Sequence, residues 1–525
     1  MTSAAIFYLT LYLLSVLGTR IGLYKLFEKA GEEKWKAFVP VLSDMVWIKL
    51  LGKPTWWVAM CFLPAARTLV KVQMRIDLAK GFNRNKWWEH GAAAILPFLY
   101  FPYIGFQPTG KLPSSTAETP KKRGALPTQP QGVVYLTPEQ HKEFYPLKVS
   151  AGREWYDAIL YAGTAAVIIR TLYFEAFVIP TTSMERTLMA GDFLFVSKFH
   201  YGCRMPMVPF ALPFVHNQMP VVGGKSYLAP FDLPYYRLPG LTSIKRNDIV
   251  VFNYPAHDID DTGIIPYGTI EEPSMKENYI KRCVAMPGDI LEVKAGQLFI
   301  NNAPAIRPAF QQSSYCVDGR VSPAIMEKTG FRVYNPQKPD NNADCVYSDR
   351  TGCNTGYTIW SPPAMVEKVK TFPDIKSVTE QLVPAEAREE GIYPSGITKQ
   401  GLVLEHSNRD NFGPLKLPKE GEAIVLTEKN YRLYIRCIKV YEKREFEYKG
   451  GKFYIDGKET TQYIPKMNYY FMMGDNRHNS GDSRYWGFVP ENHIVGTPIF
   501  IFFSTENFFN PSKWRLSRIG TSCVK

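Results

Sequence analysis

The stretch Ile179 to Phe199 reads IPTTSMERTLMAGDFLFVSKF and follows directly on an apolar run, Ala158 to Pro180, that carries one Arg and one Glu. A serine-containing turn therefore stands where an apolar helix is expected to end, and a β-branched, aromatic run begins at once after it. That change of pattern divides the chain. Upstream, apolar segments of helical length dominate. Downstream come short runs bounded by Pro, Gly and Asn-Asp, such as RNDIVVFNYP, GQLFINNAP, KFYIDGKET and PKMNYYFMMGDN, with no long helical period. The pattern predicts a membrane-anchored, mostly β fold in which N-terminal transmembrane helices precede a β-rich domain.

Four apolar segments precede Ser183. Ala4 to Tyr24 is long enough to cross a bilayer core of about 30 Å at ~1.5 Å per residue, and no small-x-small cleavage site follows it, so it is expected to be a retained anchor. Trp56 to Val70 and Gly91 to Phe106 are shorter and interrupted by Pro, which leaves spanning and re-entrant readings open. Ala158 to Pro180 is the fourth. Between the third and fourth lies QPTGKLPSSTAETPKKRGALPTQPQG, a Pro/Ser/Thr-rich linker with a basic knot at Lys121, Lys122 and Arg123, followed by Lys142, Lys148 and Arg153. Positive charge before a span marks the cytoplasmic side, which places everything after Pro180 on the opposite side. The basic loop expected at Lys71 to Lys86 would then lie outside, against the same rule.

A net charge of +13 invites a nucleic-acid reading, but no run of basic residues exceeds Lys121-Lys122-Arg123, and the cations cluster beside apolar segments. Membrane lipid is the expected partner, and nucleic acid is not. Of eight cysteines, Cys345 and Cys353 lie close together in a loop-like stretch with Cys316 upstream, so an oxidising compartment allows a Cys345–Cys353 disulfide. The eight His are scattered and there is no HExxH, so neither metal nor cofactor is expected. One internal echo, VKAGQLFINNAP against YKGGKFYIDGKE, reads as a hairpin built twice.

Walker loops, GxGxxG and GxSxG are all lacking. Ser183 in PTTSM and Lys281 in NYIKRCVAMPGD stand out, although taken alone a Ser after Thr-Thr reads as a turn or helix cap and a Lys in a strand as solvent-facing. A serine hydroxyl is a weak nucleophile and needs a base. A free lysine, with pKa near 10.4, is neutral in only ~1 molecule in 2,500 at pH 7, whereas burial lowers that value by up to ~3–5 units. Alternation in NYIKRCV puts Tyr279, Lys281 and Cys283 on one face and Ile280, Arg282 and Val284 on the other.

Three strings, IPTTSMERTLMAGDFLFVSKF, NYIKRCVAMPGD and MMGDNRHNSGDSRYWGFVPE, resemble in that order the boxes of bacterial type I signal peptidases. The resemblance covers Ala158 to Gly202, Ile244 to Asn301 and Lys452 to Phe503. It implies that Ser183 is the nucleophile and Lys281 the general base of a Ser/Lys dyad, and that Thr181 joins the Ser183 N–H in the oxyanion hole. It also implies that Ser480 orients the lysine, that Asp482 and Arg484 brace the site with Tyr279 in support, and that Phe177, Ile179 and Ile280 line the substrate pocket. Two positions depart from the family pattern. Arg186 stands where Pro is usual, which is expected to loosen the turn, and His478 replaces a commoner Asp.

The resemblance further implies a signal-peptidase-type catalytic domain over 181–301 and 449–525, with 302–448 as a large insertion, after membrane segments over 1–106, a cytoplasmic linker over 107–154 and a transmembrane helix over 155–180. The implied function is cleavage of signal peptides from exported preproteins at the outer face of the cytoplasmic membrane by a multi-pass enzyme, with the translocation machinery as a further partner. The competing readings are a Ser/Lys peptidase dedicated to one secretion system and a catalytically silent membrane scaffold. The apolar stretches Met205 to Val215 and Asn507 to Trp514 are candidates for embedding in the interface.

Overall fold

The computed structural model describes residues 3–109, 132–138, 151–208, 210–211, 219, 225–228, 233–255, 272–319, 321–335, 343–347, 356–394 and 407–523. The basic knot, Lys142, Lys148, Cys353 and much of Met205 to Val215 lie outside the described residues. The chain divides into two compact units, one reaching to Tyr173 together with Pro234–Tyr236, the other comprising the remainder.

The first unit is helical: α1 Ser3–Lys29, α2 Pro40–Leu50, α3 Trp57–Met60, α4 Pro64–Gly81, α5 Trp87–Ile95, α6 Pro97–Gly105 and α7 Ala151–Leu172. Gly18 and Gly22, one turn apart on α1, let the α6 backbone come close. A Cβ on Gly22 would stand 2.5 Å from the Phe101 carbonyl carbon. Leu23, Leu26, Trp47, Met74, Phe82 and Phe101 form the core.

Several sequence expectations change here. Among the described residues only α1 is long and apolar enough to cross a membrane, so a multi-pass anchor gains no support from the other helices. Trp56 to Val70 breaks at Pro64, and Gly91 to Phe106 breaks at Pro97, because each Pro starts a new helix rather than continuing the old one. The expected basic loop is largely the helix α4, and its cations are used internally. Lys71 pairs with Asp44, Arg75 Nη1 donates to the Ala94 carbonyl at 3.1 Å, and Lys80 meets Asp157 of α7 at 2.9 Å. The fourth apolar segment is a helix only as far as Leu172; Phe174–Val178 is a strand.

That strand, β1, opens the main sheet of the second unit. With β2 Asp192–Ser197, β3 Ile249–Asn253, β4 Asn278–Ala285, β5 Tyr469–Met473, β6 Val489–Pro490 and β7 Ile494–Ser504 it forms an antiparallel sheet of order β1-β2-β7-β3-β4-β5-β6. Period-2 alternation separates two apolar layers. Val250, Phe252, Cys283 and Met472 fill one, while Leu194, Val196, Ile249 and Val251 fill the other. The two echoed stretches are indeed hairpins, Ile290–Lys294 with Gln297–Ile300 and Phe446–Lys449 with Lys452–Ile455. Each turns through two residues of positive φ, Ala295-Gly296 and Gly450-Gly451, as the twist of a tight hairpin requires.

Residues 313–380 carry a core of their own. The strands Cys345–Tyr347, Gly356–Ser361, Ser313–Gly319 and Ile375–Glu380 pair in that order, and Val317, Met326, Cys345, Ile359, Val366 and Val369 pack between them and two short helices. By contrast Phe412, Tyr434 and Ile438 pack in one core with Leu291, Tyr469 and Phe488. Cys345 is a buried free thiol inside the smaller core, so it forms no disulfide with Cys353; among the described residues Cys316 is the disulfide-bonded cysteine.

Candidate active site

Ser183 sits on the turn between β1 and β2, and Lys281 in the middle of β4. Lys281 Nζ lies 2.7 Å from Ser183 Oγ and donates to its neighbour's carbonyl, Ile280 O, at 3.0 Å. Only 3% of Lys281 is exposed. Burial lowers its pKa to about 8, against the opposing pull of the Asp482 and Asp475 charges. At that value about one amine in ten is neutral at pH 7, against ~1 in 2,500 for a free lysine. A buried, partly neutral amine at hydrogen-bond distance from a hydroxyl can take the proton of that hydroxyl as it attacks a carbonyl.

The other expected residues gather around this pair. Thr181 Oγ1 stands 3.4 Å from Ser183 Oγ. The Lys281 ammonium lies 5.6 Å from the centre of the Tyr279 ring on the same face of β4. Arg484 donates to both oxygens of Asp482, at 2.9 and 2.8 Å, and its other N–H groups reach the carbonyls of Arg477 and Arg409. Burial favours the neutral form of Asp482, yet the Arg484 guanidinium and the N–H groups of Gly474 and Arg484 hold its carboxyl below the ordinary value. Ile179 lies in the apolar layer of Ile249 and Val251, with Phe177 and Ile280 packed against it. Ile280 thus sides with Phe177 and Ile179, on the face of β4 opposite Lys281.

Two expectations meet different geometry. The amine's hydrogen bonds go to Ser183 and Ile280, while Ser480 Oγ donates to its own neighbour, Gly481 O, at 3.4 Å, so Ser480 does not bond the lysine here. Its hydroxyl instead packs on Gly474, where an added Cβ would come within 2.2 Å of it. The turn at Arg186 is not loosened either. Arg186 has φ +67, a conformation closed to Pro, and its Nη2 donates to Asp344 Oδ2 and to Gly330 O, both at 2.8 Å.

Comparison with known proteins places these features. Residues 152–338 and 418–503, more than half of the chain, match the family described as signal peptidase, peptidase S26. The chain belongs to the S26 signal peptidase family. It is 27% identical over 356 residues to signal peptidase I of Buchnera aphidicola subsp. Schizaphis graminum, covering 67% of this chain and 76% of the relative. It is 24% identical over 398 residues to signal peptidase I of Haemophilus influenzae, covering 74% and 80%. Against signal peptidase I of Helicobacter pylori it is 27% identical over 350 residues, covering 66% and 80%. Residues 35–111 match a second family, described only as of unknown function.

In this S26 peptidase the loop after β5 supports the Ser183 turn in a way that sequence reading missed. Asn476 N donates to the Ser183 carbonyl at 3.0 Å, and Asn476 Nδ2 to the Thr182 carbonyl at 3.2 Å. Asp475 receives Arg282 at 2.7 and 2.6 Å and the Thr187 hydroxyl at 2.6 Å. The signal was present in the GDNR string, where a buried acid must find a cation, but the partner is 193 residues away in sequence.

Proposed function

We propose that the chain is the endopeptidase that removes N-terminal signal peptides from exported preproteins by Ser/Lys acyl transfer at the outer face of the cytoplasmic membrane. The observation that carries this reading is the 2.7 Å approach of a buried Lys281 amine to Ser183 Oγ in a chain of this family. Lys281 takes the Ser183 proton as Oγ attacks the scissile carbonyl, then returns it to the leaving amine, and water later releases the acyl group with the same amine as base. The Ser183 N–H and the Thr181 hydroxyl stabilise the oxyanion. Asn476, Asp482 and Arg484 hold the loops that carry these groups. The layer formed by Phe177, Ile179 and Ile280 accepts the small side chains that precede a signal-peptide cleavage site.

The membrane arrangement is part of the same reading. α1 anchors the chain, and the basic residues ahead of α7 support a second crossing there with the linker inside, although α7 is less apolar than α1 and does not qualify as a span by composition. Residues 302–448 interrupt the catalytic domain, with 313–380 as the separately packed part. Phe508, Phe509 and Trp514 remain exposed, 93% in the case of Phe509, and supply an apolar surface for lipid.

The test is cleavage of a precursor ending in Ala-x-Ala by Ser183→Ala, Lys281→Ala and Lys281→Arg enzymes. All three are expected to be inactive, the last because guanidinium stays protonated. Substantial turnover by any of them rejects the dyad.

A further inference from the structure

The nucleophile turn carries a charged pair, Glu185-Arg186, directly after Ser183-Met184, and both side chains reach into the 313–380 module rather than into solvent. Glu185 is buried, and Arg332 Nη2 stands 2.9 Å from its Oε1, an ion pair whose geometry falls short of a hydrogen bond. Asp344 receives Arg186 Nη2 at 2.8 Å and the Arg332 backbone N–H at 2.6 Å. Two acids and two arginines thus close a neutral cluster across the boundary between the turn and the module. Burial raises both carboxyls, with the arginines opposing, as expected where removal of one partner leaves an uncompensated charge.

The module grips the site at two further points. Gln312 N donates to the Asp475 carbonyl at 2.8 Å, and Arg477 N to the Gln312 carbonyl at 2.9 Å, so the start of the module pairs with the loop whose next residue, Asn476, holds the Ser183 carbonyl. His478 Nδ1 lies 2.6 Å from Ser314 Oγ, and its Nε2 lies 2.8 Å from Asp410 Oδ1. Both positions that depart from the family pattern, Arg186 and His478, are thus among the residues that contact 302–448.

We infer that the 313–380 module is a positioning element for the nucleophile, with Asp344 and Arg332 acting through Arg186 and Glu185 to fix Ser183 Oγ against Lys281 Nζ. This rests on the Ser/Lys reading above. A displacement of the order of 1 Å at a reacting atom can cost ~100-fold in rate, so the clamp needs to move Ser183 only slightly to matter.

The experiment uses the full-length enzyme in detergent or vesicles, an Ala-x-Ala precursor, and titration of active sites with a serine-acylating reagent, so that kcat is counted per competent site. Arg186→Gly removes the side chain while φ +67 stays natural to the residue, which spares the fold. Asp344→Ala removes the acceptor. Each is expected to lower kcat per site by about 10- to 100-fold with KM within about twofold, and Arg186→Lys to recover part of the loss. The double variant is expected to be no slower than Asp344→Ala alone. Unchanged kcat per site in Arg186→Gly, with or without fewer competent sites, overturns the inference, as do fully additive losses in the double variant. Wild-type and Ser183→Ala enzymes run alongside. An inactive wild type or an active Ser183→Ala rejects the peptidase reading itself, a result distinct from failure of the clamp.

Discussion

At the scale of single residues, Lys281 combines a functional requirement with a cost in stability. Its pKa falls from the usual 10.5 to about 8 in the folded chain, so between those values the unfolded chain binds more protons and stability rises with pH. Below pH 8 the folded state carries a buried ammonium, a penalty of roughly 3 kcal/mol. Lys281→Met is therefore expected to be inactive yet more stable than wild type at pH 6–7, by about 1–3 kcal/mol after some relaxation. The difference should shrink towards pH 10.5, and parallel denaturant curves across that range would measure it. Wild-type kcat/KM should rise along a limb with an apparent pKa near 8 and level off above it. A limb that is unchanged in position when Lys281 is replaced would assign the titration to another group. The pairing of Ser183 with Lys281 was legible only through the resemblance of PTTSM and NYIKRCVAMPGD to the signal peptidase boxes, while alternation put Lys281 with Tyr279 and Ile280 with Arg282. The bonding of Ser480 was not legible, since a hydroxyl that can accept from either an amine or a backbone group is placed by the loop geometry around Gly474.

At the scale of elements, the Ser183 turn is held by a loop that leaves no spare room. Gly474 follows β5, and a Cβ there would meet Ser480 Oγ at 2.2 Å and the Ser183 carbonyl oxygen at 2.6 Å. Real Cβ atoms do not come so close, and the second neighbour is backbone, so Gly474→Ala must shift the Ser183 turn, the Ser480 loop or both. The expected result is a loss of kcat of about 100-fold with the protein still folded, which near-UV circular dichroism and precursor cleavage together would show. Full activity would mean that the two loops yield without moving Ser183. Elements are also where the apolar code misleads. Phe174–Val178 reads as the end of a transmembrane helix because an apolar strand and an apolar helix share a composition. The chain instead spends those residues on β1, whose partner β2 begins 14 residues later. The hairpin turns were legible for the opposite reason, since Ala295-Gly296 and Gly450-Gly451 admit few alternatives. The departure at Arg186 could be seen in sequence, but its anchoring by Asp344, 158 residues on, is a tertiary fact.

At the scale of the whole molecule, orientation turns on α7. Its helix carries Asp157, which meets Lys80 at 2.9 Å and His90 at 2.6 Å, so its one central acid is paired within the helical unit rather than presented to lipid. Arg170 lies in its last turn, within reach of an interface. If α7 crosses, the linker and the Ser183 domain lie on opposite faces; if it does not, they share one. A cysteine introduced at Lys122 and another at Glu420, an exposed position in the catalytic unit, distinguish the two. Among the described residues, every native free thiol but Cys523 is buried and so contributes little background. In intact spheroplasts a membrane-impermeant maleimide is expected to label Glu420→Cys fully and Lys122→Cys only after permeabilisation. Labelling of both from outside would make α7 a peripheral helix and leave α1 as the anchor. Labelling of neither would put Ser183 on the cytoplasmic face, where signal peptides have not yet been translocated, and would remove the placement on which the proposed function depends.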